Sequence, residues 1–398
     1  MKRFFTLKDL NFNNQRVLLR AGFDLPLDEK GNIIDDKRIK SILPILKYLI
    51  KQKAMIIIIS HNGRPKGKII EKLKMDVVAK RLQKLLGKHI YKLDDCLGED
   101  VEYFIDEMVP GEVVLLENLR FYKEEKDKNK SVRNGFAREL ADLADIYVNE
   151  AFSNSHRDHA SITGIPKFIP SCAGLELQKE VETIEKAMQK PKKPFVAIIG
   201  GVKADKLNTI KALLKKVDKI LVGGALAFLL LKAKGIDVGK TKIDIEGLTL
   251  SKTLLKNKKL QLPIDAVIAD KFDKNAKAKT VPINQISKNW MALDIGPKTI
   301  QNYKSILKRA KTIIWAGPIG VFEWKKFAKG TNEIAKFISK LKATTVIGGG
   351  DSAAAIDKLK LAKKITHVST GGGASLMLFE GKKLPAIKAL EANYKKFK

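Results

Sequence analysis

The chain has 398 residues and carries 76 Lys and Arg against 44 Asp and Glu, a formal net charge of +32. With 44% hydrophobic and 30% charged residues, 28 Gly and 13 Pro, it has ordinary globular composition, which excludes wholesale disorder and collagen-like repeats. At roughly 150 residues per domain, two or three domains with real cores are expected.

No apolar stretch approaches the roughly 20 residues of a membrane span. The start returns to charge at Lys8-Asp9, too soon for a signal peptide. Cys96 and Cys172 cannot make a Cys-x-x-Cys motif or a disulfide framework. A soluble cytoplasmic protein is expected. The positive field favours anionic partners, whether phosphorylated metabolites or nucleic acid.

Short β-branched apolar runs alternate with amphipathic helical stretches. The first half offers strands at residues 16–19, 55–60, 113–117 and 146–149, and helices at 39–53, 77–86 and 133–143. A helix over 175–189 runs into Pro191-Lys192-Lys193-Pro194, a punctuated connection. The second half offers strands at 195–200, 219–222, 266–269, 312–315, 344–347 and 367–369, with helices at 208–215 and 331–341. This pattern predicts an α/β fold of two Rossmann-like domains, each a parallel sheet covered by helices. An interdomain helix and hinge join them. The expected boundaries are 1–172, a connecting segment 173–192, 193–381, and a tail at 382–398.

Ligands of open parallel sheets bind at the carboxyl ends of strands. In the first half those ends carry Arg20, His61-Asn62-Gly63-Arg64, Arg120 and His156-Arg157, and Arg38 sits at a helix start. Only 11 of the basic residues are Arg, ten of them before residue 160, and five of those ten fall at these positions. Guanidinium groups grip phosphate and carboxylate in a bidentate way that lysine cannot. In the second half the strand ends carry glycines: Gly200-Gly201, Gly223-Gly224, Gly317-Pro318-Ile319-Gly320, Gly348-Gly349-Gly350-Asp351-Ser352 and Gly371-Gly372-Gly373. Glycine lets backbone approach phosphate oxygens, and a helix N-terminus attracts anions. Asp351 beside such a loop is the natural Mg²⁺ ligand, because Mg²⁺ prefers a carboxylate together with phosphate oxygens. No Walker A or protein-kinase motif is present. An arginine-rich half for a small anion and a glycine-rich half for Mg-nucleotide imply phosphoryl transfer on closure, with water excluded.

These residues resemble the phosphoglycerate kinase family nearly end to end. The likeness is carried by Ser60 to Pro65, Leu115 to Phe121, Leu293 to Pro297, Gly348 to Ser352 and Val368 to Ser375. The resemblance implies reversible transfer between 1,3-bisphosphoglycerate and ADP, giving 3-phosphoglycerate and ATP with Mg²⁺. It implies a monomer with small-molecule substrates, no nucleic acid and no membrane partner, and a first domain that holds phosphoglycerate. Gly22, Phe23, Asp24, Arg38, His61, Asn62, Gly63, Arg64, Arg120 and Arg157 match its substrate positions. Arg38 resembles the arginine that stabilises the phosphoryl group in flight, Lys203 the lysine that moves with that group, and Lys206 the one that reaches the nucleotide phosphates. Gly371, Gly372 and Gly373 resemble those that neutralise charge at transfer. Gly201, Lys203, Lys206, Gly223, Gly224, Ala292, Pro318, Val321, Glu323, Gly349, Gly350, Asp351 and Ser352 match nucleotide positions. Among these Glu323 resembles the ribose-binding carboxylate and Asp351 the metal ligand. The tail is expected to pack against the first domain.

Four departures stand out. Gly22 replaces the family's substrate-orienting Asp and Asp24 its Asn, so Asp24 is expected to supply part of the missing carboxylate. The Lys203 to Lys206 spacing is three instead of four, still one face if both lie on a helix. Ala316 replaces an Asn, and Ala292 a Gly. Two other classes compete with the enzyme: a weakened relative that only binds nucleotide or phosphoglycerate and regulates, and a nucleic-acid binder. No nucleic-acid motif or aromatic-interleaved basic stripe supports the latter.

Overall fold

The computed structural model describes residues 3–398. By internal contacts the chain divides into two compact units. One is Met1–Val181 with Lys383–Lys398, and the other is Glu182–Lys382.

The first unit holds seven parallel strands: β1 (Phe5–Thr6), β2 (Arg16–Arg20), β3 (Met55–Ser60), β4 (Tyr91–Lys92), β5 (Val113–Asn118), β6 (Ile146–Asn149) and β7 (Ser171–Ala173). Their order is β1-β7-β6-β2-β3-β5-β4. Alternate residues of the central strands feed opposite cores. Val17, Leu19, Ile56, Ile58, Val113 and Leu115 pack on one side, and Leu18, Ile57, Ile59, Val114 and Leu116 on the other. Both faces are covered, which is why these strands read as unbroken apolar runs.

The second unit has β8 (Phe195–Ile199), β9 (Lys219–Val222), β10 (Leu260–Gln261), β11 (Asp265–Ala269), β12 (Ala278–Pro282), β13 (Met291–Ile295), β14 (Thr312–Ala316), β15 (Thr344–Gly348) and β16 (His367–Val368). Six of them form a parallel sheet in the order β10-β9-β8-β14-β15-β16. The expected strand at 266–269 does not join it. It is β11, the centre of a small antiparallel sheet with β12 and β13. The short link from β11 to β12 has no crossover helix, so the chain can return only antiparallel.

The helix Leu175–Gln189 spans the division between the units. The helix Pro385–Phe397 belongs to the first unit. Its Asn393 is buried; Oδ1 accepts the Ser171 N–H at 2.9 Å, and Nδ2 donates to the Pro166 and Ile169 carbonyls at 2.7 and 2.8 Å. Among the described residues no helix is long and apolar enough to cross a membrane.

Candidate active site

In the first unit β6, β2, β3 and β5 are neighbours, so the loops after them gather at one edge. Side chains stitch those loops together. Ser60 Oγ accepts the Phe23 N–H at 3.0 Å and donates to the Ala21 carbonyl at 2.8 Å. Asn62 Oδ1 accepts from Leu25 N at 3.1 Å. Asn118 Nδ2 donates to the Asn62 carbonyl at 2.8 Å, and its Oδ1 accepts from Arg120 N at 3.1 Å. Gly63 has φ +65°, and a β-carbon there would lie 2.7 Å from Leu73 Cδ2. Its N–H reaches Asp24 Oδ1 at 3.0 Å and its carbonyl accepts from Arg120 Nη1 at 2.6 Å. Arg38, in the first turn of the helix Lys37–Lys51, donates to the Asp24 carbonyl.

His61 is buried, with Nε2 3.8 Å from Asp24 Oδ2. Burial works against the Asp24 carboxylate, but His61, the Gly63 N–H and Arg38 outweigh it and hold the acid well below the usual carboxylate range. Burial, helped by Arg20 and Arg120 and opposed by Asp24, pushes the His61 imidazole down to about 3. It is therefore neutral at physiological pH. Burial also brings Arg120 down to about 10, against the attraction of Asp24 and with the repulsion of Arg20 and Arg157. His61 Nε2, Asn62 Nδ2, Arg120 Nε and Arg157 Nε are all buried polar atoms with no hydrogen-bond partner. Orphaned donors of this kind are costly unless something anionic or polar completes them. Arg64 is exposed beside them in sequence. At Gly22 a β-carbon would meet nothing nearer than Ser153 Oγ at 3.5 Å, so the missing side chain leaves room rather than a clash. Phe23 is a core residue whose N–H, not its ring, serves the loop.

In the second unit the five glycine turns follow β9, β8, β14, β15 and β16, which are adjacent in the sheet. The structure sorts these glycines into two kinds. A β-carbon at Gly200 would lie 2.1 Å from the Pro318 carbonyl oxygen, at Gly223 2.3 Å from Ile319 Cβ, and at Gly317 2.3 Å from the Gly200 oxygen. These are glycines because loop packs on loop, not because a phosphate needs space. Gly201 N donates to the Pro318 carbonyl at 2.8 Å and Gly224 N to the Ile319 carbonyl at 2.9 Å. Gly350 has nothing within 4 Å, Gly349 only Ser352 Oγ at 3.8 Å, and Gly372 only Gly350 N at 3.9 Å. Gly350 and Gly372 open the helices Gly350–Lys358 and Gly372–Phe379, the latter capped by Gly371 and continued by Gly373. Two open helix N-termini thus adjoin, with bare backbone facing outward, a geometry suited to phosphate.

Lys206 Nζ donates to the Gly200 carbonyl at 2.7 Å, and burial lowers its pKa against the pull of Asp351 and Asp205. The helix begins at Lys206, so Lys203 precedes it, exposed on the turn. The shared helix face expected for the two lysines is not there; their closeness comes from the turn instead. Ser352 Oγ accepts the Gly317 N–H at 2.6 Å. Asp351 and Glu323 are exposed, while Pro318 and Val321 are half-buried on the β14 loop. Ala292 packs in a core cluster with Phe228 and Leu231, and Ala316 is buried with its carbonyl accepting from Gly200 N. Among the described residues no group of three or more metal-ligating side chains occurs. A lone Asp351 beside an open phosphate cradle still fits Mg²⁺, which takes one or two carboxylates plus phosphate oxygens.

Sequence reasoning placed Arg20 at the site edge but missed what holds it. Arg20 Nε donates to Ser161 Oγ at 2.9 Å, and Nη2 lies 2.7 Å from His61 Nδ1. Ser161 is held by Glu125 at 2.7 Å and 2.9 Å. Glu125 lay hidden in the charged run Lys123-Glu124-Glu125-Lys126, where nothing marks one carboxylate as buried.

A model of the phosphoglycerate kinase family matches residues 7–382. The chain is 48% identical over 391 residues to phosphoglycerate kinase of Moorella thermoacetica, covering 97% of this chain and 98% of that one. It superposes on the solved structure of phosphoglycerate kinase from Coxiella burnetii with a TM-score of 0.85 at 37% identity, covering 98% of this chain and all (100%) of that one. For the Pyrococcus horikoshii enzyme the TM-score is 0.87 at 33% identity, covering 99% and 100%. Sequence and fold agree from end to end, and the chain belongs to the phosphoglycerate kinase family, with that family's phosphotransferase activity in glycolysis.

Proposed function

We propose that 3-phosphoglycerate and 1,3-bisphosphoglycerate bind on the strand-end loops of the first unit, that ADP and ATP bind on those of the second, and that hinge closure joins the two. The observation that carries the first assignment is the set of buried, unpartnered donors on His61, Asn62, Arg120 and Arg157. The adjoining open N-termini at Gly350 and Gly372 support the second. Arg38 and Lys203 offset charge on the phosphoryl group in flight, and the Gly371–Gly373 amides help neutralise that charge as it passes between the two substrates. The acceptor in the ATP-consuming direction is a carboxylate, so no general base is needed. Catalysis is then positioning and electrostatics in a water-poor site. Asp351 would hold Mg²⁺, which when bound neutralises nucleotide phosphate charge. Asp24, anchored to Gly63, takes over part of the work of the acid absent at Gly22. We also propose a cytoplasmic monomer.

The assignment is tested by steady-state kinetics of Arg120→Ala and Asp351→Asn in the full chain. Arg120→Ala should raise the KM for 3-phosphoglycerate by at least about tenfold, as expected for one lost charge-assisted hydrogen bond, and leave the KM for ATP within about twofold. Asp351→Asn should do the reverse and raise the Mg²⁺ concentration needed for half-maximal rate. Equal effects on both substrates would refute the division.

A further inference from the structure

Arg20 is a fully buried arginine at the end of β2, and each of its nitrogens has an acceptor. Nη1 donates to the Ala21 carbonyl, Nε to Ser161 Oγ at 2.9 Å, and Nη2 to His61 Nδ1 at 2.7 Å. An arginine has donors only, so His61 Nδ1 must present its lone pair and the proton of the neutral ring must sit on Nε2. The same logic runs the other way. Ser161 Oγ accepts from Arg20 and therefore turns its own hydrogen to Glu125 Oε1, 2.7 Å away. Glu125 Oε2 accepts the Ser161 N–H at 2.9 Å, and the Ser161 carbonyl accepts from Tyr147 at 2.6 Å. Glu125 and Tyr147 are both buried, and His159 Nδ1 lies 3.6 Å from Glu125 Oε1. Every bond in the chain Glu125–Ser161–Arg20–His61 thus has one possible direction, and the chain ends on a buried Nε2–H whose neighbouring carboxylate, Asp24 Oδ2 at 3.8 Å, lies beyond hydrogen-bond distance.

We propose that Glu125 and Ser161 are positioning residues that, through Arg20, lock His61 in the tautomer with its proton on Nε2 and aim that N–H at the three-carbon acid. The idea rests on the reading of the first unit as the phosphoglycerate site. Without the lock the ring can carry its proton on Nδ1 and turn a lone pair toward an anionic ligand, which repels it. Glu125 supplies the negative charge that keeps Arg20 oriented in a buried place, and Ser161 transmits the direction.

The chain has five histidines, so ¹⁵N-histidine labelling of the full chain gives few signals, and His61→Gln assigns the one of interest. In the wild type, His61 should show a pyridine-like Nδ1 and a protonated Nε2. A protonated Nδ1 would overturn the lock without any variant being made. Ser161→Ala should shift the His61 signals toward the other tautomer or a mixture. It should also raise the KM for 3-phosphoglycerate about tenfold while the KM for ATP stays within twofold. Glu125→Gln should act in the same direction, and serves if Ser161→Ala does not fold. Unchanged His61 signals in either folded variant, or equal rises in both KM values, would reduce these residues to scaffold and overturn the proposal. If His61→Gln leaves the KM for 3-phosphoglycerate unchanged, the ligand assigned to the site is wrong, whereas the tautomer spectrum reports on the lock independently.

Discussion

Gly224 and Gly350 both sit in strand-end turns of the second unit, and a β-carbon means opposite things at the two. Gly224 has φ +62°, and its β-carbon would lie 2.7 Å from Gly201 N and 2.8 Å from Gly201 O. Backbone cannot move aside as a side chain can, so Gly224→Ala should lower the unfolding free energy by more than about 2 kcal/mol in urea titrations. Gly350 meets nothing within 4 Å and begins a helix. Gly350→Ala should stay within about 0.5 kcal/mol of the parent and instead raise the KM for ATP, because the methyl group occupies space left for phosphate. His61 gives a prediction in pH. Its pKa is about 3 in the fold and about 6.5 in the unfolded chain. Below pH 6.5 the unfolded state therefore binds the extra proton. The stability contribution is complete above about pH 6.5 and is lost as pH falls toward 3, with a slope of at most about 1.4 kcal/mol per pH unit. Unfolding of His61→Gln, followed from pH 7 to 4.5, should lose less stability than the parent over the same range. Parallel curves would mean that His61 is already charged in the fold.

At the scale of elements, the helix Pro385–Phe397 is fastened by one side chain more than by its sequence pattern. Asn393 satisfies Ser171 N, the Pro166 carbonyl and the Ile169 carbonyl at once. Asn393→Ala would strand those groups in a buried place, for roughly 2–4 kcal/mol of destabilisation. Hydrogen exchange should quicken in residues 385–397 and around β7; loss spread evenly over the chain would show that the helix is not a separable fastening. Nothing in the tail's lysine-rich sequence marks Asn393. The strands of four to six residues in both parallel sheets, by contrast, were legible, because burial on both faces forces unbroken apolar runs such as Met55–Ser60. Shorter strands carry too few side chains to make a period: the two-residue β1, β4 and β10 and the three-residue β7 went unseen, and of the two-residue edge strands only β16 was expected. The antiparallel β11–β13 sheet escaped because an apolar run does not disclose which sheet it enters. The arginine and glycine strand ends were legible for a similar reason: arginine is scarce in this chain, and a glycine pair is conspicuous after an apolar run. Which glycines face open space and which face another loop is a property of tertiary packing. So is the burial of Glu125 within a run of charges.

The charge of +32 acts on the molecule as a whole, and it makes a prediction that no single contact does. A positive field concentrates multiply anionic substrates and raises encounter rates by about 10–10³-fold, an effect that fades as the Debye length shrinks to about 10 Å at 0.1 M salt. The kcat/KM for 3-phosphoglycerate should then fall by about tenfold between roughly 20 and 200 mM salt, within that range of steering effects, with kcat changing less. Two sources of such a slope have to be separated. The charges at the strand ends, the exposed Arg64 among them, act on substrate at short range, whereas the exposed lysines spread over the surface act at long range and are screened first. Lys80, Lys84, Lys252 and Lys256 are exposed on or beside helices and outside the strand-end loops. Reversing all four to Glu changes the net charge from +32 to +24, two units for each of four substitutions, without touching the substrate-binding loops. If the field of the whole molecule steers substrate, this variant should show a lower kcat/KM at low salt and a shallower salt slope, and should converge on the parent at high salt. An unchanged slope would assign the dependence to charges at the strand-end loops, the exposed Arg64 among them, and leave these four lysines a role in solubility rather than in catalysis.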